Sequence, residues 1–253
     1  MTSRFFLENS QEFLSGNKIS KKNNPDVFHH LKDVLRVKDK DLVELVADQS
    51  AYLVQVNEIS AMEVFFNRPD KLSKDPEIPV KTTIVVPLLK SDHLDWLIQK
   101  ATELGVFKII LTNFSYSVVK DTKIEKKLQR YEKIVKGAAE QSHRLLVPEI
   151  IYEKKFIEQA GLSDHQIGIV AWEESAKSGE KSNLFKMIRL AKHDSKFNEI
   201  VAVFGPEGGI SKKEIKKLES SGFIAAGLGP RILRAETAPL YLLSSVSLLI
   251  ELS

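Results

Sequence analysis

The chain has 253 residues, of which 43% are hydrophobic and 28% charged, a composition typical of globular proteins and not of disordered or collagen-like ones. Its 37 Lys and Arg against 34 Asp and Glu give a net charge of +3, which permits an anionic partner without requiring one. The absence of cysteine excludes disulfides, thiolate nucleophiles and cysteine-ligated zinc. Since no signal-like segment or 18-residue apolar run is present, we expect a cytoplasmic protein without membrane contact.

The first third of the chain carries short apolar runs typical of β-strands. They predict strands over 42–47, 52–56 and 62–66, with a turn at 48–50. Residues 67–79 contain three prolines among charged residues and no apolar period, which predicts an interdomain linker. We therefore divide the chain into a small β-rich domain, 1–70, and a larger domain, 71–253.

After the predicted linker, strands alternate with amphipathic helices, which predicts an α/β domain. Ser91 is predicted to cap the first of these helices and Gly105 to end it. Ser211 and Glu214 form an S-x-x-E capping box before a later helix. The predicted strands are 82–87, 107–111, 167–172, 200–204 and 224–227, and the predicted helices are 92–104, 123–143, 184–191, 212–221 and a closing helix of about 16 residues from 236.

Two glycine-containing loops follow predicted strands and precede predicted helices. They are G-P-E-G-G at 205–209 and L-G-P-R-I-L-R-A-E-T-A at 228–238. Neither extends to G-x-G-x-x-G, and no P-loop motif is present, so ordinary dinucleotide and P-loop sites are not supported. Glycines let a backbone approach a ligand closely, although a tight strand–helix connection explains them equally well. Because ligands collect at the carboxyl ends of parallel strands, we expect both loops to line one pocket.

Other chemistry-bearing patterns are weaker. The six histidines form no H-E-x-x-H motif and no serine lies in G-x-S-x-G, so neither a metal site nor a catalytic triad is expected. Residues 120–144 hold eight Lys and Arg against four Asp and Glu, which fits either an RNA-binding face or a solvated helix. The closing helix is apolar on more than one face, and either internal packing or a dimer seam explains that pattern.

A set of longer motifs makes the chain resemble the RsmE family, the 16S rRNA uridine-N3 methyltransferases of the SPOUT superfamily. The resemblance covers nearly the whole chain, and the two glycine loops in this order make it specific. The segments that carry it are R-F-F at 4–6, H-L at 30–31, V-L-R-V at 34–37, Q-K-A-T-E-L-G-V at 99–106, A-A-E-Q-S-H-R at 138–144, Pro148, and the loops at 205–209 and 228–238.

The resemblance implies a PUA-like β-barrel that holds RNA in residues 1–70 and a SPOUT domain with a deep trefoil knot in 71–253. It also implies a homodimer that acts on the small ribosomal subunit. S-adenosylmethionine is the implied cofactor, bound by Leu88, Phe204, Gly205, Pro206, Glu207, Gly208, Gly209, Leu228, Gly229, Ile232 and Leu233. The implied RNA-binding residues are Arg4, His30, Arg36, Lys100, Gln141 and Arg144.

For methyl transfer to uridine N3, the candidate catalytic residues are Arg231, Arg234 and Glu236. The arginines are expected to neutralise charge on the uracil carbonyl oxygens. Glu236 or Glu207 is expected to accept the N3 proton; alternatively, Glu207 orders the glycine loop and bulk water takes the proton. Two other functions stay open, a SPOUT methyltransferase acting on another RNA and a non-catalytic RNA-binding or ribosome-assembly factor.

The chain departs from the family pattern at two positions. Tyr116 stands where the family often has an arginine, which puts a phosphate or base contact there in doubt. Gly137 stands where an acidic residue often precedes A-A-E-Q-S, and glycine costs about 1 kcal/mol relative to alanine within a helix.

Overall fold

The computed structural model describes residues 2–119, 124–177 and 182–252. The chain forms two compact units, a first unit of Met1–Glu77 with Ala139–Val147 and a second unit of Ile78–Ala138 with Pro148–Ser253. This division reflects how residues pack together and assigns no function to either unit. The assignment of 1–70 to RNA binding and of 71–253 to methyl transfer stays a prediction.

The first unit is built on a mostly antiparallel sheet. Its strands run in the order β1-β3-β4-β5-β2, with β6 beside β4, and only the β1–β3 pair among them is parallel. A π-helical turn, His30–Val34, continues directly from α2. The elements are β1 Arg4–Phe6, α1 Gln11–Gly16, β2 Lys18–Ser20, α2 Pro25–His29, β3 Leu42–Ala47, β4 Ser50–Ile59, β5 Glu63–Phe66 and β6 Asp70–Lys71.

The predicted hairpin between β3 and β4 is present, with a tighter turn than expected. Asp48 and Gln49 adopt positive φ angles of 47° and 55°, the geometry of a two-residue turn that matches strand twist, and β4 already begins at Ser50. The predicted linker 67–79 is wrong at its beginning, because β6 pairs with Tyr52 and Leu53. On the edge of β4 that faces away from β3, β5 pairs only with Val56, Glu58 and Ile59. β6 pairs with earlier residues on the same edge, whose backbone groups would otherwise have no strand partner.

The second unit contains a six-stranded parallel sheet in the order β12-β10-β11-β7-β8-β9. This confirms the α/β class predicted for this part of the chain. The elements are β7 Lys81–Pro87, α3 Ser91–Glu103, β8 Lys108–Thr112, α4 Ile124–Gln141, β9 Glu149–Tyr152, α5 Phe156–Gln159, β10 Gln166–Ala171, α6 Glu173–Lys177, α7 Asn183–His193, β11 Glu199–Phe204, α8 Lys212–Ser220, β12 Ile224–Ala226 and α9 Thr237–Glu251.

Both faces of this sheet are covered, as continuous apolar strands in a parallel sheet require. One face packs a large core that includes Leu97 of α3, Val135 of α4 and Leu243 of α9. The other face packs a smaller core that includes Ile157 of α5 and Leu218 of α8. Within the described ranges, no helix combines the length and apolarity needed to cross a membrane.

The observed helix ends agree only in part with the caps that the sequence predicts. Ser91 is the first residue of α3 and Lys90 precedes it as the N-cap, so the helix begins one residue earlier than predicted. Gly105 follows the helix with φ of 84°, the left-handed conformation that favours glycine. The S-x-x-E capping box of α8 is complete. Residues 120–123, which belong to the predicted basic stretch and include the predicted start of α4, lie outside the described residues.

Candidate active site

A cavity of about 620 Å³ opens in the second unit where three neighbouring strands, β10, β11 and β12, end. Its volume falls in the range of small-molecule and cofactor sites. We call it the strand-end cavity; it is lined by 171–174 after β10, 204–210 after β11, most of 228–238 after β12, and His93 of α3. The two glycine loops therefore line one pocket, as the strand-end rule for open α/β sheets predicts.

Nearly all the site residues inferred for cofactor and catalysis lie in this cavity. Those that line it are Phe204, Gly205, Pro206, Glu207, Gly208, Gly209, Leu228, Gly229, Arg231, Ile232, Leu233, Arg234 and Glu236. Leu88 does not; it is buried beside a separate cavity of about 320 Å³ that Leu94 and Tyr131 also line. The structure thus brings the two loops together, whereas Leu88 lies in the hydrophobic core that also contains Phe204 and Ala235 and does not line the cavity.

Glycine is required in the first loop by close packing within the protein itself. A Cβ atom on Gly205 would lie 2.5 Å from Cγ1 of Ile210 and 3.2 Å from its backbone nitrogen. A Cβ atom on Gly208 would lie 2.9 Å from Cβ of Tyr116. Gly209 has φ of 77°, and its N–H donates to the Pro206 carbonyl at 2.8 Å. The loop is therefore a tight, closely packed turn as well as a wall of the cavity.

Glu214 fixes the helix that leaves this loop. Its Oε2 accepts hydrogen bonds from the backbone N–H and the hydroxyl of Ser211, at 2.9 and 2.6 Å. Its Oε1 accepts from the backbone N–H of Ser115 at 2.8 Å, which ties the loop after β8 to the start of α8. Burial alone would raise the pKa of Glu214, but the hydrogen bonds from Ser211 and Ser115 outweigh it and lower the pKa.

One carboxylate in the strand-end cavity is shielded and held in place. The Glu236 side chain is 12% exposed, and its Oε1 lies 3.1 Å from Nδ1 of His93. Arg234 is 79% exposed, with Nη1 at 4.0 Å from the same oxygen, and Arg231 and Glu207 are also exposed. A partly buried acid therefore lies near the exposed Arg234, in a cavity that the exposed Arg231 also lines.

Sequence reasoning missed the third wall of the cavity. Trp172, Glu173 and Glu174 follow β10 and line the cavity, and the strand-end rule that identified the other two loops applies equally to this strand. His93 lies in the first turn of α3, and no spacing relates it to Glu236. Among the residues that the structure describes, no group of three or more histidine or acidic side chains is placed to hold a metal ion.

Two of the six predicted RNA-binding residues are buried in ion pairs of the first unit. Arg4 pairs with Glu44 at 2.6 Å and donates to the backbone carbonyls of His143 and Arg144. Arg144 pairs with Glu77 at 2.6 Å. With side chains only 7% and 4% exposed, these arginines fasten the segment 139–147 and present little surface to a phosphate.

The other predicted RNA-binding residues are more accessible. His30, Arg36 and Gln141 are exposed in the first unit, and Arg36 adopts a positive φ of 52°. Lys100 lies in the second unit and donates to Glu103 one turn away at 2.8 Å. That pair is partly exposed and close to neutral overall, so Lys100 attracts phosphate more weakly than a free lysine does.

A family model described as an RNA methyltransferase domain matches residues 76–247. That span contains the whole parallel sheet and every residue that lines the strand-end cavity. The fold and the cavity are therefore those of an RNA methyltransferase domain.

Comparison with similar proteins identifies the family within this class of RNA methyltransferases. The chain is 37% identical to the ribosomal RNA small subunit methyltransferase E of Bacillus subtilis over 88% of both chains. It is 32% identical to the protein of the same name from Mesomycoplasma hyopneumoniae, over 95% of this chain and 97% of the relative. The crystal structure of the Neisseria gonorrhoeae ribosomal RNA small subunit methyltransferase E bound to S-adenosylmethionine is 27% identical, covers 98% of both chains and superposes with a TM-score of 0.80. The chain belongs to the ribosomal RNA small subunit methyltransferase E family.

Proposed function

We propose that this protein transfers a methyl group from S-adenosylmethionine to N3 of a uridine in 16S rRNA of the small ribosomal subunit. The observation that carries the proposal is the convergence of both family-specific loops, 205–209 and 228–238, on one cavity of cofactor size. The names of the relatives and the cofactor bound to the Neisseria gonorrhoeae protein support it.

The residues of the strand-end cavity suit this cofactor. Apolar groups, including Leu228 and Ile232, offer surface for an adenine ring. Four glutamates and two arginines line the cavity, so carboxylates outnumber guanidinium groups and favour a cation. When bound, S-adenosylmethionine supplies an activated methyl group on a cationic sulfonium.

The acceptor uracil is activated by side chains at the cavity mouth. Arg231 and Arg234 are exposed there and hold the carbonyl oxygens of uracil, on which negative charge develops as N3 loses its proton. Glu236 accepts that proton, since its carboxylate is shielded from solvent and positioned by His93. Glu236 then gives the proton to His93, which is 44% exposed, and His93 releases it to water. Glu207 is exposed and orders the glycine loop.

The family resemblance also implies a domain fold, a knot and an oligomeric state for this chain. We infer that the first unit is a PUA-like barrel that contacts RNA through His30, Arg36 and Gln141, and that the second unit contains the trefoil knot.

α9 forms the seam of a cytoplasmic homodimer, in keeping with exposed apolar side chains at Leu248 and Leu252. Light scattering at micromolar concentration should give twice the chain mass; the mass of a single chain would contradict the dimer.

The proposed activity is tested by product analysis. The purified protein is incubated with S-adenosylmethionine carrying an isotopically labelled methyl group. Assembled small subunits and naked 16S rRNA, both from cells that lack the corresponding enzyme, are offered separately, and the nucleosides are resolved by mass spectrometry. Labelled 3-methyluridine is expected, more from assembled subunits than from naked rRNA. Label in another nucleoside would overturn the specificity, and bound cofactor without any transfer would indicate a binding factor.

A further inference from the structure

The loop after β8 carries an exposed aromatic residue on a rigid turn. Tyr116 is 54% exposed, whereas its neighbours Phe114 and Ser117 are 5% and 8% exposed. The Phe114 N–H donates to the Ser117 hydroxyl, and the Ser117 N–H donates to the Phe114 carbonyl, both at 3.1 Å. The backbone on both sides of Tyr116 is therefore anchored in the protein while its ring faces solvent.

A second set of contacts fixes where this turn lies. The N–H and hydroxyl of Ser115 donate to Oε1 of Glu214 at 2.8 and 3.1 Å, and the same carboxylate closes the capping box of α8. The turn that holds Tyr116 and the helix that follows the first glycine loop thus share one anchor.

Tyr116 packs directly against the glycine loop. A Cβ atom on Gly208 would lie 2.9 Å from Cβ of Tyr116 and 3.1 Å from its carbonyl oxygen, so only glycine leaves room for the tyrosine backbone there. Gly208 also lines the strand-end cavity. The contact places Tyr116 at the rim of the cavity, beside the loop that we assign to the cofactor.

An exposed aromatic ring on an anchored turn is suited to bind a nucleobase. Unpaired bases of RNA stack on tyrosine and other aromatic side chains, and an enzyme that modifies a base must hold it outside its own stack. Because the turn is already ordered, stacking costs little further conformational entropy. Within residues 2–119, 124–177 and 182–252, the Tyr116 hydroxyl has no hydrogen-bond partner, so no hydrogen bond to the protein fixes the orientation of the ring.

We propose that Tyr116 is a base-stacking site that holds a nucleobase of the substrate strand at the rim of the strand-end cavity. This inference rests on the proposed function, because it needs an RNA substrate at that rim. It predicts a role in RNA affinity that is separate from cofactor binding.

The test compares Tyr116→Phe, which keeps the ring, with Tyr116→Ser, which removes it. Val118→Ser is the matched control, since Val118 is 73% exposed two residues further along the same loop. For each protein, KM and Kd are measured for the RNA form that the wild type binds, together with the calorimetric Kd for S-adenosylmethionine and the thermal unfolding midpoint.

We expect Tyr116→Ser to raise KM and Kd for RNA by about 5- to 150-fold, the range for loss of one base–aromatic stack. Tyr116→Phe and Val118→Ser should behave like the wild type, and cofactor Kd should stay unchanged in all three. Unchanged RNA affinity in Tyr116→Ser, an equal loss in Val118→Ser, or a matching loss of cofactor affinity would overturn the stacking site. A wild type that binds RNA through Tyr116 but transfers no methyl group would refute the proposed function alone.

Discussion

The substitution Gly205→Ala tests whether the packing of the first glycine loop shapes the cofactor site. The added Cβ atom would lie 2.5 Å from Cγ1 of Ile210, against about 3.5–4.0 Å for an ordinary carbon contact, so the two groups must separate by about 1 Å. A rotamer change of Ile210 would move its Cγ1 away, but its backbone nitrogen and the carbonyl carbon of Gly209 would still lie at 3.2 and 3.3 Å, close enough that they must shift by a few tenths of an ångström. The loop backbone has to move.

Overpacking of this kind costs about 1–3 kcal/mol. We expect that cost to be divided between a lower free energy of unfolding, measured in urea, and weaker S-adenosylmethionine binding, measured by calorimetry. If it fell wholly on binding, the cofactor Kd would rise about 5- to 150-fold. The two losses, expressed as free energies, should sum to at least about 1 kcal/mol.

Gly137→Ala is the control for the same chemical change. Gly137 lies within α4 and is exposed, and a Cβ atom added there would have no neighbouring atom within 4 Å. Alanine there should stabilise the protein by about 0.5–1 kcal/mol and leave cofactor Kd unchanged. If Gly205→Ala kept both the wild-type stability and the wild-type cofactor Kd, the argument from loop packing would be refuted.

Three further predictions concern single side chains. Arg4→Ala removes the buried partner of Glu44 and leaves the partly exposed His143 at 3.1 Å from the same carboxylate, so it should cost about 3 kcal/mol of unfolding free energy, the low end for a broken buried pair; a urea midpoint equal to that of the wild type would contradict this. The lowered pKa of Glu214 gives stability above its unfolded pKa that is lost as pH falls through the folded value, so Glu214→Gln should flatten the fall in thermal midpoint below about pH 4.5; an unchanged acid profile would exclude that role. Arg231→Ala should lower kcat at least about tenfold without changing cofactor Kd, and unchanged turnover would remove Arg231 from the mechanism.

Sequence patterns were sufficient for the long elements of the second unit. β7, β10 and β11 are buried apolar runs and α3 is strongly amphipathic, so period and length identify them. The three- and four-residue strands β1 and β9 went unpredicted, since runs this short show no reliable period. The linker was misplaced because pairing of β6 with β4 depends on an open sheet edge, which composition does not reveal.

The site was predictable to the extent that it lies on loops of distinctive composition. Glycines after two strands located two walls of the cavity, and the wall after β10 lacks glycine and was missed. Contacts between distant parts of the sequence were also missed, including His93 with Glu236 and Arg4 with Glu44. Arg4 and Arg144 are buried by such contacts. A family motif does not show which acidic residue an arginine will meet in the fold, so the motifs suggested RNA binding and not an internal ion pair.

The most direct test of the account locates the cofactor on this chain. Hydrogen–deuterium exchange, read by mass spectrometry, is compared with and without saturating S-adenosylmethionine, after calorimetry has established binding. We predict protection of backbone amides in peptides that cover 204–211 and 227–236 and unchanged exchange in peptides that cover 42–59 of the first unit. Binding without protection of either loop, or protection confined to the segment around Leu88, would contradict a cofactor site in the strand-end cavity.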